Sequence, residues 1–248
     1  MTTRLTLFGF RLFEGLPPEV VERFTEAAVF KHYAEGEMIF DQDTDGRDVH
    51  FIVQGKVRLL TAVEAGEPMT LAEVPSGEIF GELAAIDQRP RSARAVAAFD
   101  SVLGSIDGPV LISLLEYCPV VAIRMLKRLA TIIRSMDVRL ASIAVMTPTQ
   151  RVIAELMRRA EPDSRVPGQW LIAYSPTHAE IASWVGIDRE DVAQTIGMLA
   201  RDALVRRRGG SLVLLDWAAL QGMARPENAR VAALKEQAQR QQPQPTRH

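Results

Sequence analysis

The chain has 248 residues, of which 47% are hydrophobic and 24% charged, and its formal net charge is −2. These values are near the averages for globular proteins and exclude a disordered or collagen-like chain, while the length fits one large domain or two ordinary ones. A net charge near zero means that any DNA-binding surface is a local basic patch. The single cysteine, Cys118, excludes a disulfide framework and a four-thiolate zinc or iron–sulfur site.

Targeting and membrane segments are not predicted. The first eight residues lack the apolar segment and cleavage site of a signal peptide. No apolar run approaches the ~18–20 residues that a membrane span needs. We therefore expect a cytoplasmic protein with no membrane partner, which also suits a free thiol.

Residues from about Leu16 to Asp107 are typical of short strands separated by turns. Residues 16–19, with prolines at 17 and 18, are predicted to start a short helix that precedes the strands, because proline is tolerated in the first helical turn. Strand-like segments follow at residues 29–33, 38–40, 50–53, 56–63 and 69–74, with glycine-bearing turns between them. This pattern predicts a β-sandwich or a barrel-like roll.

A heptad repeat follows the helix break at Pro119. Apolar residues recur at spacings of four and three, at Ala122, Leu126, Leu129, Ile133, Met136, Leu140 and Ile143. A helix that only covers its own domain usually has a broader apolar stripe, so this narrow seam favours a coiled coil between two copies of the chain. Pro148 predicts the end of the helix near residues 146–148 and a hinge there.

The next segment predicts a winged helix-turn-helix domain. Residues 149–160 form an amphipathic helix with Val152, Ile153, Leu156 and Met157 on its inner face. Helices at 177–185 and 188–201 are separated by a turn at Gly186, and the strands 205–208 and 211–215 flank the hairpin signal Gly209-Gly210. Residues from 226 are helix-prone to about Arg240, and the Gln/Pro-rich end is predicted to be a flexible tail.

Together these segments predict an α+β protein with four parts. They are an N-terminal jelly-roll-like β-roll (1–118), a long dimerisation helix with its hinge (119–147), a winged helix-turn-helix domain (148–225) and the tail (226–248).

The second predicted helix of the helix-turn-helix carries side chains that can read bases. Arg189, Glu190 and Gln194 can share an exposed face, and these types recognise guanine, cytosine and adenine respectively. They could also be an ordinary solvated face. The turn and the following wing favour DNA reading, with Thr177 and His178 placed for phosphate contact.

A local basic patch precedes the Gly-Gly hairpin. Arg206, Arg207 and Arg208 would contact phosphates, which adds affinity and salt dependence but little sequence choice. The alternative is that these charges only protect a hairpin edge from aggregation.

A second group of candidate binding residues lies at residues 80–86 and 90–93. Gly81 opens a short helix where backbone N–H groups can approach an anion, and Arg91 offers a planar cation suited to phosphate oxygens. Glu82 fits an anion site only if it accepts a hydrogen bond, for example from a sugar hydroxyl. These residues indicate a receptor for a ligand with phosphate and ribose; the alternative is a surface turn in which Glu82 and Arg91 pair.

The sequence here resembles the phosphate-binding cassette of cyclic nucleotide-binding domains. With the heptad helix and the C-terminal part, the resemblance covers residues 15–220 and extends to the catabolite activator and fumarate–nitrate regulator (CRP/FNR) superfamily. It implies that Glu82 accepts the ribose 2′-hydroxyl and that Arg91 pairs with the cyclic phosphate, assisted by Ser92 and the amides of Leu83 and Ala84. It also implies that the long helix contacts the purine at Met136 and Asp137, where the cyclic AMP-dependent activator has two hydroxyl residues. Relative to the family, Gln194 replaces an arginine that reads a guanine.

Asp137 bears on the choice of base. An ionised carboxylate only accepts hydrogen bonds, and guanine offers the adjacent N1–H and N2–H donors. Cyclic AMP is the favoured ligand because the family resemblance points to it, and cyclic GMP is the alternative.

Other chemistry finds little support. The four histidines are scattered and show no metal-ligand spacing, and Cys118 is better explained as a turn thiol than as a haem ligand. No nucleophile motif indicates an enzyme. We therefore expect a homodimeric, cyclic nucleotide-responsive regulator that binds palindromic double-stranded DNA and RNA polymerase. The alternatives are a ligand-independent DNA-binding regulator and a nucleotide-sensing module without a role in transcription.

Overall fold

The computed structural model describes residues 5–61 and 68–226. The chain divides into two compact units between Arg134 and Ser135, and each is described by itself.

The first unit is built around two four-stranded antiparallel sheets. The strands are β1 (Val29–Tyr33), β2 (Met38–Phe40), β3 (Val49–Gln54), β4 (Lys56–Thr61), β5 (Met69–Pro75), β6 (Ile79–Phe80), β7 (Arg94–Ala97) and β8 (Ser101–Ile106). The strand orders in the two sheets are β1-β8-β3-β6 and β2-β7-β4-β5, so both sheets interleave early and late strands as a jelly-roll-like fold does.

The roll has two apolar clusters. One lies between the sheets and includes Ile52, Val57 and Leu103, each with no exposed surface. The other joins β3 to surrounding helices and includes Phe51 and Leu111, also fully buried. The helices are a 3₁₀ turn (Arg11–Phe13), α1 (Pro18–Ala27), α2 (Glu82–Asp87), α3 (Gly108–Tyr117) and α4 (Pro119–Val145).

Helix α4 has two apolar faces. Val121 and Met125 are buried against the roll, with exposures of 0% and 2%, and Leu129 packs partly there. The seam residues Leu126, Ile133, Met136 and Leu140 are exposed, and the side chain of Ile143 lies outside the described residues. The start of α4 therefore covers its own domain, as the alternative interpretation has it, while most of the predicted seam stays uncovered within the chain.

The second unit is a helical domain with small antiparallel strands. Its elements are α5 (Pro148–Arg159), β9 (Glu161–Pro162), β10 (Trp170–Ile172), α6 (His178–Val185), α7 (Arg189–Arg201), β11 (Val205–Arg208), β12 (Ser211–Leu214) and α8 (Trp217–Ala224). Helix α5 begins with a capping box between Thr147 and Gln150, and Val152, Ile153 and Leu156 are buried as predicted, while Met157 is partly buried.

The structure confirms the predicted α+β architecture of roll, long helix and helix-turn-helix. Strands β1 and β2 match their predicted bounds. Helices α3 and α8 were not predicted, and neither were β6, β7 and β8 as separate strands. Residues 62–63 of the predicted fourth strand and the tail from residue 227 lie outside the described residues, and the four-part division stays a prediction.

Within the described ranges, no single helix is both long and apolar enough to cross a membrane. Helix α3 and α4 up to Asp137, bent by 114°, pass this test together by length and composition only.

A buried histidine lies in the core of the roll. His50 on β3 is 6% exposed, its ring stacks on Phe80, and its Nδ1 lies 2.7 Å from the Ser105 hydroxyl oxygen. Burial, aided by the positive charge of Arg91, lowers the pKa of His50 to about 3. The folded chain thus holds His50 neutral at pH values where the unfolded chain protonates it.

We predict that this histidine makes the fold acid-sensitive. The folded pKa of His50 lies below its unfolded value of about 6.5. The stability that depends on neutral His50 is therefore fully present above pH 6.5 and is lost as the pH falls towards 3. His50 should remove about 2 kcal/mol of unfolding free energy between pH 7 and pH 5. Urea denaturation should show a smaller loss over this range for His50→Gln than for wild type. His32→Gln, at an exposed position on β1, is the control; equal losses in all three chains would contradict the prediction.

Candidate nucleotide and DNA sites

Gly81 connects β6 to α2 in a conformation that favours glycine. Its φ is +82°, in the left-handed region. An added Cβ would lie 2.6 Å from Arg91 Nη1 and 3.0 Å from the Asp48 carbonyl oxygen. The glycine therefore lets the backbone approach the arginine.

Arg91 is almost completely buried, at 2% exposure. Its Nη1 donates to the Gly81 carbonyl at 2.9 Å and its Nη2 donates to the Asp48 carbonyl at 2.8 Å. The guanidinium carbon lies 4.1 Å from the centre of the Phe40 ring. Burial lowers the pKa of Arg91, and the nearby carboxylates of Asp48 and Glu82 oppose this effect. Even with a lowered pKa, an arginine stays cationic in a protein.

The Nε–H of Arg91 has no acceptor among the described residues, and this nitrogen is buried. A buried N–H without an acceptor costs free energy, so this donor suits an acceptor brought by a ligand. An added Cβ at Gly46 would lie 3.4 Å from this Nε, so the chain passes close by.

Glu82 is also buried, at 5% exposure, and it begins α2. Burial raises the pKa of Glu82, while Arg128 acts to lower it. Within the described ranges Glu82 forms no ion pair with Arg91, so the alternative of a simple surface pair between them is wrong. Its partner is Arg128, whose Nε lies 3.9 Å from Glu82 Oε1.

Arg128 links α4 to the cassette, and sequence reasoning missed it. It pairs with the Glu78 carboxylate and donates to the Ile79 carbonyl. These partners lie about fifty residues earlier in the chain, so no local pattern points to the contact. In the sequence, the only indication of this contact is that the charged residue Arg128 lies next to the seam residue Leu129.

The other residues that the sequence assigns to nucleotide binding differ in exposure. Leu83 and Ser92 are exposed, whereas Ala84 is buried. Met136 and Asp137 are exposed and belong to the second unit, so their assignment to the base stays a prediction.

The helix-turn-helix has the predicted turn. Gly186 has φ +66° and donates its N–H to the Ala182 carbonyl at 2.8 Å, which ends α6. Val192 and Leu199 of α7 are fully buried in the core of the unit. Thr177 caps α6, and its hydroxyl bonds to Glu180, while His178 is the first residue of the helix and is half-buried. Arg189, Glu190 and Gln194 are all exposed on α7.

The wing hairpin forms as predicted around Gly209 and Gly210, both with positive φ. Arg206 and Arg207 are exposed. Arg208 is half-buried and bonds to the Asp163 carboxylate, and this hydrogen bond lowers the pKa of Asp163. Arg208 thus connects the wing to the segment after β9. This contact occupies part of the Arg208 guanidinium, which the sequence assigns to phosphate contact.

No group of three or more His, Cys, Asp or Glu that could hold a metal occurs in the part of the chain that the structure describes.

Two protein-family profiles match the chain. Residues 30–118 match the profile described as cyclic nucleotide-binding domain, and residues 150–223 match the Crp-like helix-turn-helix domain. The Cyclic AMP receptor protein of Thermus thermophilus is 30% identical over 216 residues, which cover 87% of this chain and 97% of the relative. The chain belongs to the CRP/FNR family of transcription regulators.

Further members support this assignment. The CRP-like cAMP-activated global transcriptional regulator of Mycobacterium tuberculosis is 26% identical, over 83% of this chain and 92% of its own. A CRP/FNR-family transcriptional regulator from Thermus thermophilus has a solved structure with a TM-score of 0.59 and 27% identity, covering 79% of this chain and 98% of that one. The c-di-GMP responsive global regulator CLP of Xanthomonas campestris, at 20% identity, a TM-score of 0.68 and coverages of 80% and 99%, shares the fold. The CRP/FNR regulator described here therefore combines a cyclic nucleotide-binding domain with a DNA-binding domain.

We predict that Gly81 is required for the Arg91 contact. Gly77 has nearly the same φ, +83°, but an added Cβ there meets no described atom within 4 Å. Gly77→Ala should cost about 1–2 kcal/mol of unfolding free energy through backbone strain alone. Gly81→Ala should cost a further ~1–3 kcal/mol because its methyl group collides with Arg91. Urea denaturation measures both, and equal costs would contradict the account.

Proposed function

We propose that this CRP/FNR regulator is a homodimer whose binding to palindromic DNA is controlled by a cyclic nucleotide, with cyclic AMP favoured over cyclic GMP. The observation that carries the proposal is the buried guanidinium of Arg91, whose Nε–H has no acceptor among the described residues and lies near Gly81 and Glu82. As a DNA-binding regulator it would act in the cytoplasm, with RNA polymerase as a further expected partner.

The residues of the cassette fit a nucleotide phosphate and ribose. A phosphate oxygen would accept from Arg91 Nε, and Arg91 is held in place for this by two carbonyls. Glu82, whose carboxylate faces Arg128, would accept from the ribose 2′-hydroxyl, because a buried carboxylate is stabilised by a further hydrogen-bond donor. The amides of Leu83 and Ala84, and the exposed hydroxyl of Ser92, would assist at the phosphate.

The base preference rests on two opposing considerations. The relatives from Thermus thermophilus and Mycobacterium tuberculosis are described as a cyclic AMP receptor and a cAMP-activated regulator, which favours cyclic AMP. Asp137 would accept well from the N1–H and N2–H of guanine, which keeps cyclic GMP as the alternative. Met136 would contact the purine in either case.

The dimer is proposed through the heptad residues between 122 and 143. Leu126, Ile133, Met136 and Leu140 are between 54% and 69% exposed, in a row along one helix. An uncovered apolar stripe of this kind is costly in water, and a second copy of α4 in a coiled coil would bury it.

DNA contact is proposed through α7 and the wing. Arg189, Glu190 and Gln194 would read base edges in the major groove, and the two α7 helices of a dimer would enter grooves ~34 Å apart. Arg206 and Arg207 would bind phosphates, with Thr177 and His178 nearby on the first helix. Arg208 would contribute through the donors that Asp163 does not engage.

Arg128 supplies a physical route from the nucleotide to α4. A ribose hydroxyl on Glu82 would act on the same carboxylate that faces Arg128. If the ligand binds one conformation of α4 more tightly than another, it shifts the population towards that conformation. A difference of a few kcal/mol in binding free energy would be enough to switch DNA binding.

Two other functions are distinguishable from this one. A ligand-independent regulator would bind DNA equally with and without nucleotide. A nucleotide sensor without a role in transcription would bind nucleotide but select no DNA.

Calorimetric titration of the full chain with cyclic AMP, and separately with cyclic GMP, tests the proposed site. We predict micromolar binding of cyclic AMP by the wild type, and a loss of at least about tenfold in Arg91→Gln, because one charge-assisted contact is worth roughly 1.5–3 kcal/mol. Arg94→Gln, which removes a nearby exposed arginine that pairs with Asp41, should bind as the wild type does.

A second variant decides between the bases. Tight cyclic GMP binding that weakens in Asp137→Ala would assign the guanine reader and overturn the preference for cyclic AMP. Thermal melting of Arg91→Gln separates lost binding from lost folding, and binding of neither nucleotide by the wild type would contradict the proposed site.

A further inference from the structure

Gly197 lies in the interior of the α7 helix, where glycine is unfavourable. Only proline is a poorer residue in a helix interior. Its φ is not in the left-handed region, and an added Cβ would meet no described heavy atom within 4 Å. Unlike Gly81 and Gly186, Gly197 is therefore not explained by turn geometry or by close packing within the unit.

Its position on the helix offers a different reason. Residues 190, 194, 197 and 201 are spaced four, three and four apart, so they lie on one face of the helix. All four are exposed, while Val192, Thr195 and Leu199 on the other side are buried. Gly197 thus lies in the middle of the face that carries Glu190 and Gln194.

We propose that Gly197 is where the DNA duplex comes closest to the α7 backbone. This inference rests on the proposed function, in which α7 enters the major groove. The groove is about 12 Å wide and a helix with its side chains is about 10–12 Å across, so the fit is close. The missing side chain lets α7 lie deeper, and Glu190 and Gln194 then reach the base edges. Gly197 is a positioning residue, because it has no side chain to contact a base.

Substitutions at Gly197 and Gly222 test this role. Gly222 in α8 is also a helical glycine with open space around its Cα, so it serves as the matched control. The probe is a fluorescent duplex that the wild-type full chain selects from a randomised pool in the presence of cyclic AMP, and a scrambled duplex of the same length measures non-specific binding. Both Gly197→Ala and Gly222→Ala should raise the melting temperature, because alanine favours the helix.

DNA affinity should separate the two positions. Gly197→Leu should weaken binding to the selected duplex by at least about tenfold, the equivalent of one lost bidentate base contact, with a smaller effect on the scrambled duplex. Gly222→Leu should bind as the wild type does. Unchanged affinity in Gly197→Leu, or an equal loss in both leucine variants, would overturn the inference. If the wild-type chain selects no duplex, the proposed DNA binding itself fails, and the inference fails with it.

Discussion

The buried guanidinium of Arg91 is the interaction on which the nucleotide-binding half of the structure depends. It joins the turn at Gly81 to the Asp48 carbonyl, two segments that lie far apart in the sequence. A buried cation is expensive unless it is well bonded, and two carbonyls and the face of Phe40 stabilise part of this one. These contacts hold the Nε–H donor in a fixed direction, so little conformational freedom would be lost if an anion bound there.

Helix α4 has to satisfy two requirements at once. Val121 and Met125 hold its beginning on the roll, while Leu126 and Leu140 leave an apolar row exposed. Arg128 adds a polar connection to Glu78 and Glu82. One helix thus contacts the cassette through a side chain and carries an exposed apolar row. In the proposed dimer, it would connect the ligand site to the second copy.

Local signals in the sequence predicted much of the fold, and long-range contacts escaped it. Strands β1 and β2 follow from β-branched and aromatic residues between turn signals, and the Gly209-Gly210 hairpin follows from turn chemistry within a few residues. Helix α3 was missed because it is short and apolar on most sides, so it lacks the periodicity that distinguishes a helix from a buried strand. The partners of Arg128 and of Arg208 lie about fifty and forty-five residues away, and only the folded chain brings them together.

The proposed function requires nucleotide binding and DNA binding to be coupled. Fluorescence anisotropy of a labelled, selected duplex, titrated with the wild-type chain with and without cyclic AMP, measures this coupling. DNA binding should be at least about tenfold tighter with the nucleotide, and by linkage nucleotide affinity should rise equally when DNA is present. The same DNA affinity in both titrations would contradict this coupling and would indicate a regulator that binds DNA without regard to nucleotide.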